Sequence, residues 1–392
     1  MKVTRWENEL PIKSWCETVE GDAMAQAHNL AALPYAFHHI ALMPDCHTGY
    51  GMPIGGVLAT VGVVIPNAVG VDIGCGMCAV KTSLPVEEYA ARTEDWRTIM
   101  AHIRERIPVG PNHNKKPASL SDMQPLASLL PEPIVMDQFN AAQHQLGTLG
   151  GGNHFIEIQK GSDGHIWIML HSGSRNVGYQ VARHYNEIAK TLNNRWQSVV
   201  PHEAQLAFLP LDSDEGKSYF AEMQWCVTFA LCNRLLMMSI IIEAMAQTFP
   251  GVTFADPINI AHNYAAMENH FGKNVMVHRK GATRARGGDI GIIPGSQGTC
   301  SYVVEGLGEP ESFMSCSHGA GRAMSRTAAK ERLILEAEIA AMDEQGIIHN
   351  MRTKNDLDEA SGAYKPIEDV MQQQADLVKP LVKLWPLAVI KG

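Results

Sequence analysis

The chain has 392 residues, of which 45% are hydrophobic and 19% charged, and its 32 basic and 41 acidic residues give a net charge of −9. This is the composition of an ordinary globular protein, long enough for one large domain or two. The acidic balance argues against a protein that coats nucleic acid non-specifically, because such binding depends on a basic surface. A local basic or metal-lined groove remains compatible with it.

Export and membrane signals are absent from the sequence pattern. No run of eighteen or more uncharged apolar residues occurs, so we expect no membrane span. The first residues lack the apolar core of a signal peptide. Eight cysteines are scattered without a framework spacing, which predicts reduced thiols in a cytoplasmic protein.

Short apolar strands punctuated by glycine alternate with helical patterns along the chain. Because neither an internal repeat nor a clean domain boundary occurs, we expect one large α/β (α+β) domain over residues 1–392, with central β-sheets surrounded by helices. In the first part of the chain the predicted elements are a short strand and a helix within 1–35 (N-cap Asp22, end at Pro34), strands at 39–43, 54–58 and 62–66, a buried glycine-rich segment at 68–77, a helix at 86–106 and an exposed loop at 107–120. The second part has predicted strands at 153–157 and 166–170, helices over most of 177–248 with a long amphipathic one near 215–246, strands at 275–278, 290–293 and 300–307, and closing helices.

The motif Ser317-His318-Gly319-Ala320-Gly321-Arg322 is the most distinctive polar run. It follows a predicted strand and precedes an alanine-rich pattern that predicts a helix from about Arg322. His318 is therefore expected at a helix N-terminus, where free N–H groups and two glycines favour an anion. Arg322 and Arg326 would share one helix face, and a neutral His318 beside a phosphate is a candidate covalent nucleophile. The same residues also fit a simple helix cap with solvated arginines.

An acid, a thiol and three histidines are candidate metal ligands. Each histidine stands at the border of a predicted strand and a loop, where its side chain can point into a cleft. A mixed set of this kind suits a borderline divalent ion, and two ions can share a bridging thiolate. No spacing motif links these residues, so each histidine taken singly also fits a structural role. They are Asp72, Cys75, His154, His171 and His262.

Cys75 and Cys78 form a C-G-M-C run. Such a run can be a redox pair or half of a zinc site. We discount both interpretations, because no second C-x-x-C completes a zinc site and the alternation predicts a strand.

The predicted strand 153–157 offers a candidate purine pocket. Period-two alternation puts Asn153, Phe155 and Glu157 on one face and His154 on the other. The ring can stack on a base, and the carboxylate can accept hydrogen bonds from a guanine edge. A half-exposed strand with one buried Phe fits the pattern equally well, and His154 needs a bulge or a strand end to reach the same cleft.

Eight short motifs in this order resemble those of the RtcB-type RNA ligases. They extend from about residue 35 to Lys391-Gly392, and the length is similar to that of the compact bacterial form. The motifs are Pro44-Asp45-x-His47, Val71-Asp72-Ile73-Gly74-Cys75-Gly76-Met77, Gly150-x-Gly152-Asn153-His154-Phe155-Ile156-Glu157, His171-Ser172-Gly173-Ser174-Arg175, His262-Asn263-Tyr264, Arg279-Lys280-Gly281-Ala282, Pro294-Gly295-Ser296 and Ser317-His318-Gly319-Ala320-Gly321-Arg322.

The resemblance implies a role for each matching position. His318 is the implied nucleophile that becomes guanylylated by GTP, and Arg175 and Arg326 are implied to hold phosphates of an RNA end. The implied ligands of two manganese ions are Asp72, Cys75 (as bridge), His154, His171 and His262. The implied GTP site comprises Asn153, His154, Phe155, Ile156, Glu157, His262, Asn263, Pro294, Gly295, Ser296, Gln297, Ser301, His318, Gly319, Ala320, Gly321, Tyr364 and Lys391.

The implied reaction joins an RNA 3′-phosphate or 2′,3′-cyclic phosphate end to a 5′-hydroxyl end, in RNA repair or tRNA splicing, through a histidine–GMP adduct and an RNA–ppG end. Some family members also rely on a small activating partner, archease. Two other classes stay open from the residues alone: a metal-dependent phosphodiesterase that opens cyclic phosphates without joining ends, and a non-catalytic RNA-end-binding protein.

Four positions depart from the family pattern. Tyr50 stands where a lysine is expected, Cys46 replaces an apolar residue, Asn176 stands where glycine is common, and Gln297 replaces a usual methionine. None is a proposed metal ligand or the nucleophile, so the departures bear on substrate preference rather than on the chemistry.

Overall fold

The computed structural model describes residues 1–7, 9–119, 126, 129 and 133–392. Within these residues the helices are α1 (Gly21–Ala31), α2 (Pro66–Val69), α3 (Val86–Tyr89), α4 (Thr93–Arg106), α5 (Pro133–Gln145), α6 (Arg175–Arg195), α7 (Asp214–Thr248), α8 (Arg326–Arg332), α9 (Leu335–Glu344) and α10 (Ile367–Gln373). The strands are β1 (Lys2–Thr4), β2 (Ile12–Ser14), β3 (Ala36–Tyr50), β4 (Met52–Thr60), β5 (Val63–Val64), β6 (Gly76–Pro85), β7 (Phe155–Gly161), β8 (His165–Ser172), β9 (Leu209–Pro210), β10 (Ile258–Ala261), β11 (Asn263–His270), β12 (Lys273–Lys280), β13 (Ala282–Arg284), β14 (Ile290–Ile293), β15 (Ser301–Gly306), β16 (Ser315–Ser317) and β17 (Val378–Lys391).

Two large sheets organise the described part of the chain. One has six strands in the order β1-β2-β3-β4-β12-β11, and the other has seven in the order β10-β6-β8-β7-β17-β15-β14. Strands β13 and β16 form a small two-stranded sheet. In the chain β13 follows β12, and β16 leads directly into the loop that carries His318. Mixed sheets and helices of this kind confirm the predicted α/β class.

The seven-stranded sheet is apolar on both faces. On one face Ile156 of β7 and Ile168 of β8 pack with Trp96 of α4 and Met237 of α7. On the other face alternate residues of the same strands, among them Phe155, form a second cluster with Leu384 of β17 and Val303 of β15. The side-chain period of two in a strand accounts for this division. It also directs Phe155 and Glu157 away from the helices.

The long helix α7 confirms the helix predicted near 215–246 but not its amphipathic character. Its buried residues include the polar Asn233 and Arg234, whereas the apolar Leu235 is exposed, so apolar residues are not confined to one face. Among the described residues it is the one helix that is long and apolar enough to cross a membrane, but 56% of its most apolar window is buried inside the fold. Such burial is typical of a core helix.

Most predicted strands are confirmed. The predicted closing helices are present as α8, α9 and α10, but they do not end the chain. After α10 the chain forms the fourteen-residue strand β17, which pairs with β15 on one side and β7 on the other. Prolines disfavour a central strand, but those of β17 lie where its pairing is irregular. The register with β15 shifts between Val303 and Val304, opposite Pro380, and the register with β7 shifts between Pro386 and Ala388.

Two smaller expectations need adjustment, and a third is confirmed within the described residues. The N-cap of α1 is Glu20 rather than Asp22, which lies in the first turn of the helix. The predicted helix at 86–106 is divided into α3 and α4. Of the predicted loop at 107–120, residues 107–119 form no regular helix or strand and most are exposed, whereas Leu120 lies outside the described residues.

Candidate active site

A cleft of about 1220 Å³, including its open mouth, runs along the ends of the two large sheets. Strand β3 of the six-stranded sheet contributes one part of the wall, and β7 and β17 of the seven-stranded sheet contribute another. The lining residues are Glu20, His47, Thr48, Ile54, Asn153, Phe155, Glu157, His171, Pro294, Gly295, Ser296, Gln297, His318, Gly319, Ala320, Gly321, Arg322, Met324, Ser325, Arg326, Glu359, Tyr364 and Lys391.

His318 is held by a buried carboxylate. Nδ1 of His318 lies 2.6 Å from Oδ2 of Asp45, and this same oxygen accepts the backbone N–H groups of His318 (3.0 Å) and Gly319 (3.3 Å). Because a carboxylate oxygen accepts hydrogen bonds, Nδ1 carries the proton and the lone pair stays on Nε2. Asp45 therefore fixes both the tautomer and the direction of the ring. It was missed as a site residue, although its motif was visible.

The predicted helix N-terminus at His318 is wrong. Helix α8 begins at Arg326 with Ser325 as N-cap, and residues 318–325 form a loop. The N–H groups expected to bind an anion instead bind Asp45, to which Gly321 (φ 73°) packs so closely that a Cβ would overlap it. Arg322 consequently lies before the helix, and it does not share a helix face with Arg326.

Five side chains predicted as metal ligands converge. Sγ of Cys75 lies 3.1 Å from Nε2 of His171 and 3.5 Å from Nε2 of His154. Nε2 of His154 is 3.1 Å from Oδ2 of Asp72, and Nε2 of His171 is 3.3 Å from Nε2 of His262. They form two groups that could each hold an ion, and Cys75 belongs to both. One group is Asp72, Cys75 and His154, and the other is Cys75, His171 and His262. We call these five side chains the metal-type cluster.

The histidine tautomers suit metal binding. Nδ1 of His154 contacts the carbonyl oxygen of Leu149 at 2.9 Å, and Nδ1 of His171 contacts that of Asn153 at 3.2 Å. Both Nδ1 atoms must donate to these carbonyls, so both Nε2 lone pairs point into the cluster. Burial lowers the pKa of His171, and the neighbouring histidines lower it further, which keeps this ring neutral. Nε2 of His171 lies 3.3 Å from Nε2 of His262, and imidazole nitrogens grouped with a thiol and a carboxylate form a donor set that fits a divalent metal.

Helix α7 braces the loops that carry these ligands. Nη1 of the buried Arg234 donates to the carbonyl oxygens of Gly74 (2.8 Å) and Ser172 (3.0 Å). The Asn233 amide donates to Ser172 Oγ and to the carbonyl of Gly173. Neither residue was predicted, because a polar pair within an apolar helix has no motif that reveals its partners.

Cys78 takes no part in the cluster. It is fully buried in the apolar core between β6, α4 and α7, whereas Cys75 lies just before β6 begins. The strand predicted for the C-G-M-C run is confirmed, because residues 76–85 form β6.

One wall of the cleft has the character of the predicted purine pocket. Phe155 and Glu157 line it, and Lys391 of the adjacent strand β17 pairs with Phe155, with its Nζ 5.7 Å from the Phe155 ring centre. Burial raises the pKa of Glu157 to about 8, although the charge of Lys391 and a hydrogen bond from Gln159 act in the other direction. Nε2 of Gln159 lies 2.7 Å from Glu157 Oε2.

A buried carboxylate that was not predicted, Glu359, contacts several side chains that line the cleft. Its oxygens lie 3.3 Å from Arg322 Nη1, 3.1 Å from Arg326 Nε and 3.7 Å from Lys391 Nζ. They also accept a short hydrogen bond from the Tyr364 hydroxyl. Glu359 thus fixes the positions of four cleft side chains. It lies outside every motif, and the sequence offers no signal for it.

The cleft brings together most of the residues predicted for GTP, and a few lie elsewhere. Ile156 is fully buried in the apolar core, so its side chain does not line the cleft. Ser301 lies behind the wall, where its Oγ accepts the N–H of Gly295 at 3.2 Å. His154 and His262 belong to the metal-type cluster. Asn263 bridges the carbonyl of Asp72 and the N–H of Gly281.

The two arginines predicted to hold RNA phosphates occupy different places. Arg326 lines the cleft. Arg175 begins α6 with φ 60° and lies behind the metal-type cluster, with Nη1 3.4 Å from Nδ1 of His154. Burial lowers the pKa of Arg175, whereas the Asp72 and Cys75 charges raise it.

Of the four departures, Gln297 alone lines the cleft, where its Nε2 donates to the Glu359 carbonyl at 2.9 Å. Tyr50 is half exposed and its hydroxyl bonds Gln205. Cys46 is fully buried. The backbone N–H of Asn176 donates to Gln145 Oε1.

Comparison with known proteins agrees with this arrangement. A family model described as tRNA-splicing ligase RtcB matches residues 26–392. The chain belongs to the RtcB family. The resemblance seen in the sequence is thereby confirmed, and both large sheets fall mainly within the RtcB match.

The relatives are similar over almost their whole length. The chain is 39% identical over 408 residues to RNA-splicing ligase RtcB of Escherichia coli K12, with 97% of each chain covered. It is 31% identical over 452 residues to tRNA-splicing ligase RtcB of Methanococcus maripaludis, covering 96% of this chain and 92% of the relative. It is 31% identical over 440 residues to RNA-splicing ligase RtcB of Mycobacterium bovis, covering 94% and 100%.

Proposed function

We propose that this protein is an RNA ligase that joins RNA 3′-phosphate or 2′,3′-cyclic phosphate ends to 5′-hydroxyl ends with GTP. Membership of a family named for RNA and tRNA splicing ligases supports the reaction class. The observation that carries the proposal is the Asp45–His318 pair, which leaves the lone pair of Nε2 free in a cleft beside a metal-type cluster.

In the first step proposed, Nε2 of His318 attacks the α-phosphorus of GTP. The N–P bond forms, the bond between the α-phosphorus and the bridging oxygen breaks, and pyrophosphate leaves. No base is needed, because Nε2 already holds its lone pair. Asp45 stabilises the positive charge that the ring acquires. Phe155 and Glu157 are proposed to hold the base, and Lys391, Tyr364 and Ser296 to complete the nucleotide wall.

In the next two steps the nucleotide passes to RNA and the ends are sealed. An oxygen of the RNA 3′-phosphate attacks the phosphorus of the adduct, and the N–P bond to His318 breaks, giving an RNA–ppG end. The 5′-hydroxyl then attacks the 3′-phosphorus and GMP leaves. A cyclic phosphate is first opened by water to the 3′-phosphate. Arg326, on the cleft wall, and Arg175 are proposed to hold phosphates of the RNA end.

We propose manganese as the metal, with two ions held by Asp72, Cys75, His154, His171 and His262. Bound metal offsets phosphate charge and lowers the pKa of a coordinated water or hydroxyl. A local metal charge also explains how a chain of net charge −9 handles RNA.

Protein labelling with manganese and α-labelled GTP tests the proposal. We expect an acid-labile, alkali-stable protein–GMP adduct that His318→Ala abolishes. An unlabelled wild type, or equal labelling of His318→Ala, would show that the assignment is wrong. An unlabelled protein that still opened cyclic phosphates would be a phosphodiesterase instead. The same assay run with and without archease tests whether this activating partner is needed.

We also propose that residues 1–392 act as one domain in the cytoplasm. In support of one domain, Trp15 near the beginning donates its indole N–H to Asp376 (2.9 Å), and the cleft takes residues from both large sheets. In support of the location, all eight cysteines are free thiols.

A further inference from the structure

His47 faces the cleft from β3, two residues beyond Asp45. Nδ1 of His47 lies 2.8 Å from the backbone carbonyl oxygen of Asp45. Since a carbonyl accepts, Nδ1 carries the proton and the lone pair stays on Nε2. Nε2 has no protein partner in the described part of the chain and is not enclosed, so it opens to the cleft.

The other imidazoles that line the cleft are already committed. His171 directs Nε2 to the metal-type cluster, 3.1 Å from Cys75 Sγ. His318 is held by Asp45 as the proposed nucleophile. Within the described lining, His47 is therefore the imidazole with a lone pair and no assigned task.

The carboxylates of the cleft are also engaged. Glu157 accepts from Gln159, and Glu359 accepts from Arg322 and Arg326. Glu20 accepts the Thr48 hydroxyl at 2.9 Å. A free acceptor suited to taking a proton in this cleft is accordingly Nε2 of His47.

When a 3′-phosphate end is joined by the proposed reaction, one of the three nucleophiles must lose a proton. His318 attacks GTP with a lone pair, and the 3′-phosphate attacks the adduct as an anion. The 5′-hydroxyl, by contrast, must lose its proton. We infer that Nε2 of His47 is the general base that takes this proton as the 5′-oxygen bonds to the 3′-phosphorus and the bond from that phosphorus to the GMP oxygen breaks. This inference rests on the proposed function.

The charges around His47 agree with this role. Burial lowers the pKa of His47 to about 4; the charges of His318 and Lys365 lower it too, while the hydrogen bond to Asp45 and its carboxylate oppose them. Glu20 also faces the same part of the cleft. The ring is thus neutral before RNA binds. The phosphates of an RNA–ppG end add negative charge, which raises the pKa towards the range of an effective base.

The test separates the steps. His47→Asn keeps an amide donor near the position of Nδ1 and removes Nε2. We measure protein guanylylation by GTP, conversion of a 3′-phosphate end to RNA–ppG, and sealing of a pre-made RNA–ppG end to a 5′-hydroxyl strand without GTP. His144→Asn is the matched control, because Nδ1 of His144 also contacts a backbone carbonyl, at 3.0 Å, but outside the cleft.

We expect His47→Asn to keep the first two rates within about twofold and to slow sealing by about a hundredfold or more. In His47→Gly, added imidazole should restore sealing, which a misfolded protein would not show. Normal sealing by His47→Asn, or equal loss of all three rates without rescue, overturns the inference. A wild type that takes no label from GTP refutes the proposed function itself, and that result is distinct from a sealing defect.

Discussion

The Asp45 carboxylate lies against the His318 imidazole, 2.6 Å from Nδ1, although 273 positions of sequence separate the two residues. The same oxygen accepts two backbone N–H groups from the His318 loop. Asp45 is fully buried, so its charge is directed at this loop rather than screened by solvent. A single carboxylate thus sets the conformation of the loop and the tautomer of its histidine.

Asp45→Asn should impair His318 in either orientation of the amide. An amide oxygen in place of Oδ2 keeps the three hydrogen bonds but loses the negative charge that stabilises the ring, whereas an amide nitrogen there leaves the two backbone N–H groups without an acceptor and donates to Nδ1, so that the proton moves to Nε2. We expect guanylylation of the protein to slow by roughly a thousandfold or more, because a misplaced histidine proton in a serine protease costs about ten-thousandfold. The rate of label uptake from α-labelled GTP measures this. Asp95→Asn, on the surface of α4, should label normally; an active Asp45→Asn would refute the orientation role.

Cys75→Ala should disrupt both metal groups at once, because Sγ belongs to both. We expect the affinity for Mn²⁺ to fall by at least tenfold, since losing even an indirect contact to a ligand costs about 10–100-fold. Metal bound per protein after dialysis is the measurement. Cys78→Ala is the matched control, because Cys78 is buried in the apolar core. Equal metal content in Cys75→Ala and Cys78→Ala would contradict a bridging thiolate.

GTP affinity should rise with pH through Glu157. Burial raises the pKa of this carboxyl to about 8, so below that pH the free protein holds it protonated. Guanine N–H groups need an ionised acceptor, so binding must first remove the proton. We expect affinity to increase by up to about tenfold per pH unit below pH 8 and to level off above it. Calorimetric titration across this range measures the slope.

Glu157→Gln is the companion to that titration. The variant has no titrating group at this position, so the pH slope should vanish. Its amide N–H groups also face guanine donors, which should weaken binding by about tenfold or more at high pH. A slope that persisted in the variant would assign the titration to another group.

Gly281→Ala should displace the ring of His318. Gly281 has φ 61°, and a Cβ there would overlap Cγ2 of Ile54 and lie 3.1 Å from ring atoms of His318. We expect a loss of about 1–3 kcal/mol in unfolding free energy and slower guanylylation. Gly272→Ala is the control, because Gly272 has φ 77° but open space around it. If both variants had the same guanylylation rate, the packing of Gly281 against Ile54 and His318 would not be what positions the His318 ring.

Local patterns were sufficient to predict much of the fold and several parts of the site. Strands such as β14 and β15 have alternating or continuous apolar runs, and the histidines of the cluster do stand where strands meet loops. The strand period also assigned Phe155 and Glu157 to one face. These features depend on neighbours in sequence, which the sequence displays directly.

Tertiary contacts account for what was missed. The alanine-rich run after Gly321 predicts a helix that begins at about Arg322. Because Gly321 packs on Asp45, the chain instead remains in a loop as far as Ser325. In β17 the prolines obscure a strand that pairing on both sides stabilises. Asp45, Asn233 and Glu359 acquire their roles from partners remote in sequence, and no single-chain pattern records such partners.

The position of β17 has a consequence for folding. The strands β10, β6, β8 and β7 form one part of their sheet and β15 and β14 another, and β17 is what joins them. Before β17 inserts, β7 and β15 present open edges, which are templates for pairing with other chains. We therefore expect refolding to be limited by this late closure, and aggregation to compete with it most strongly at high protein concentration.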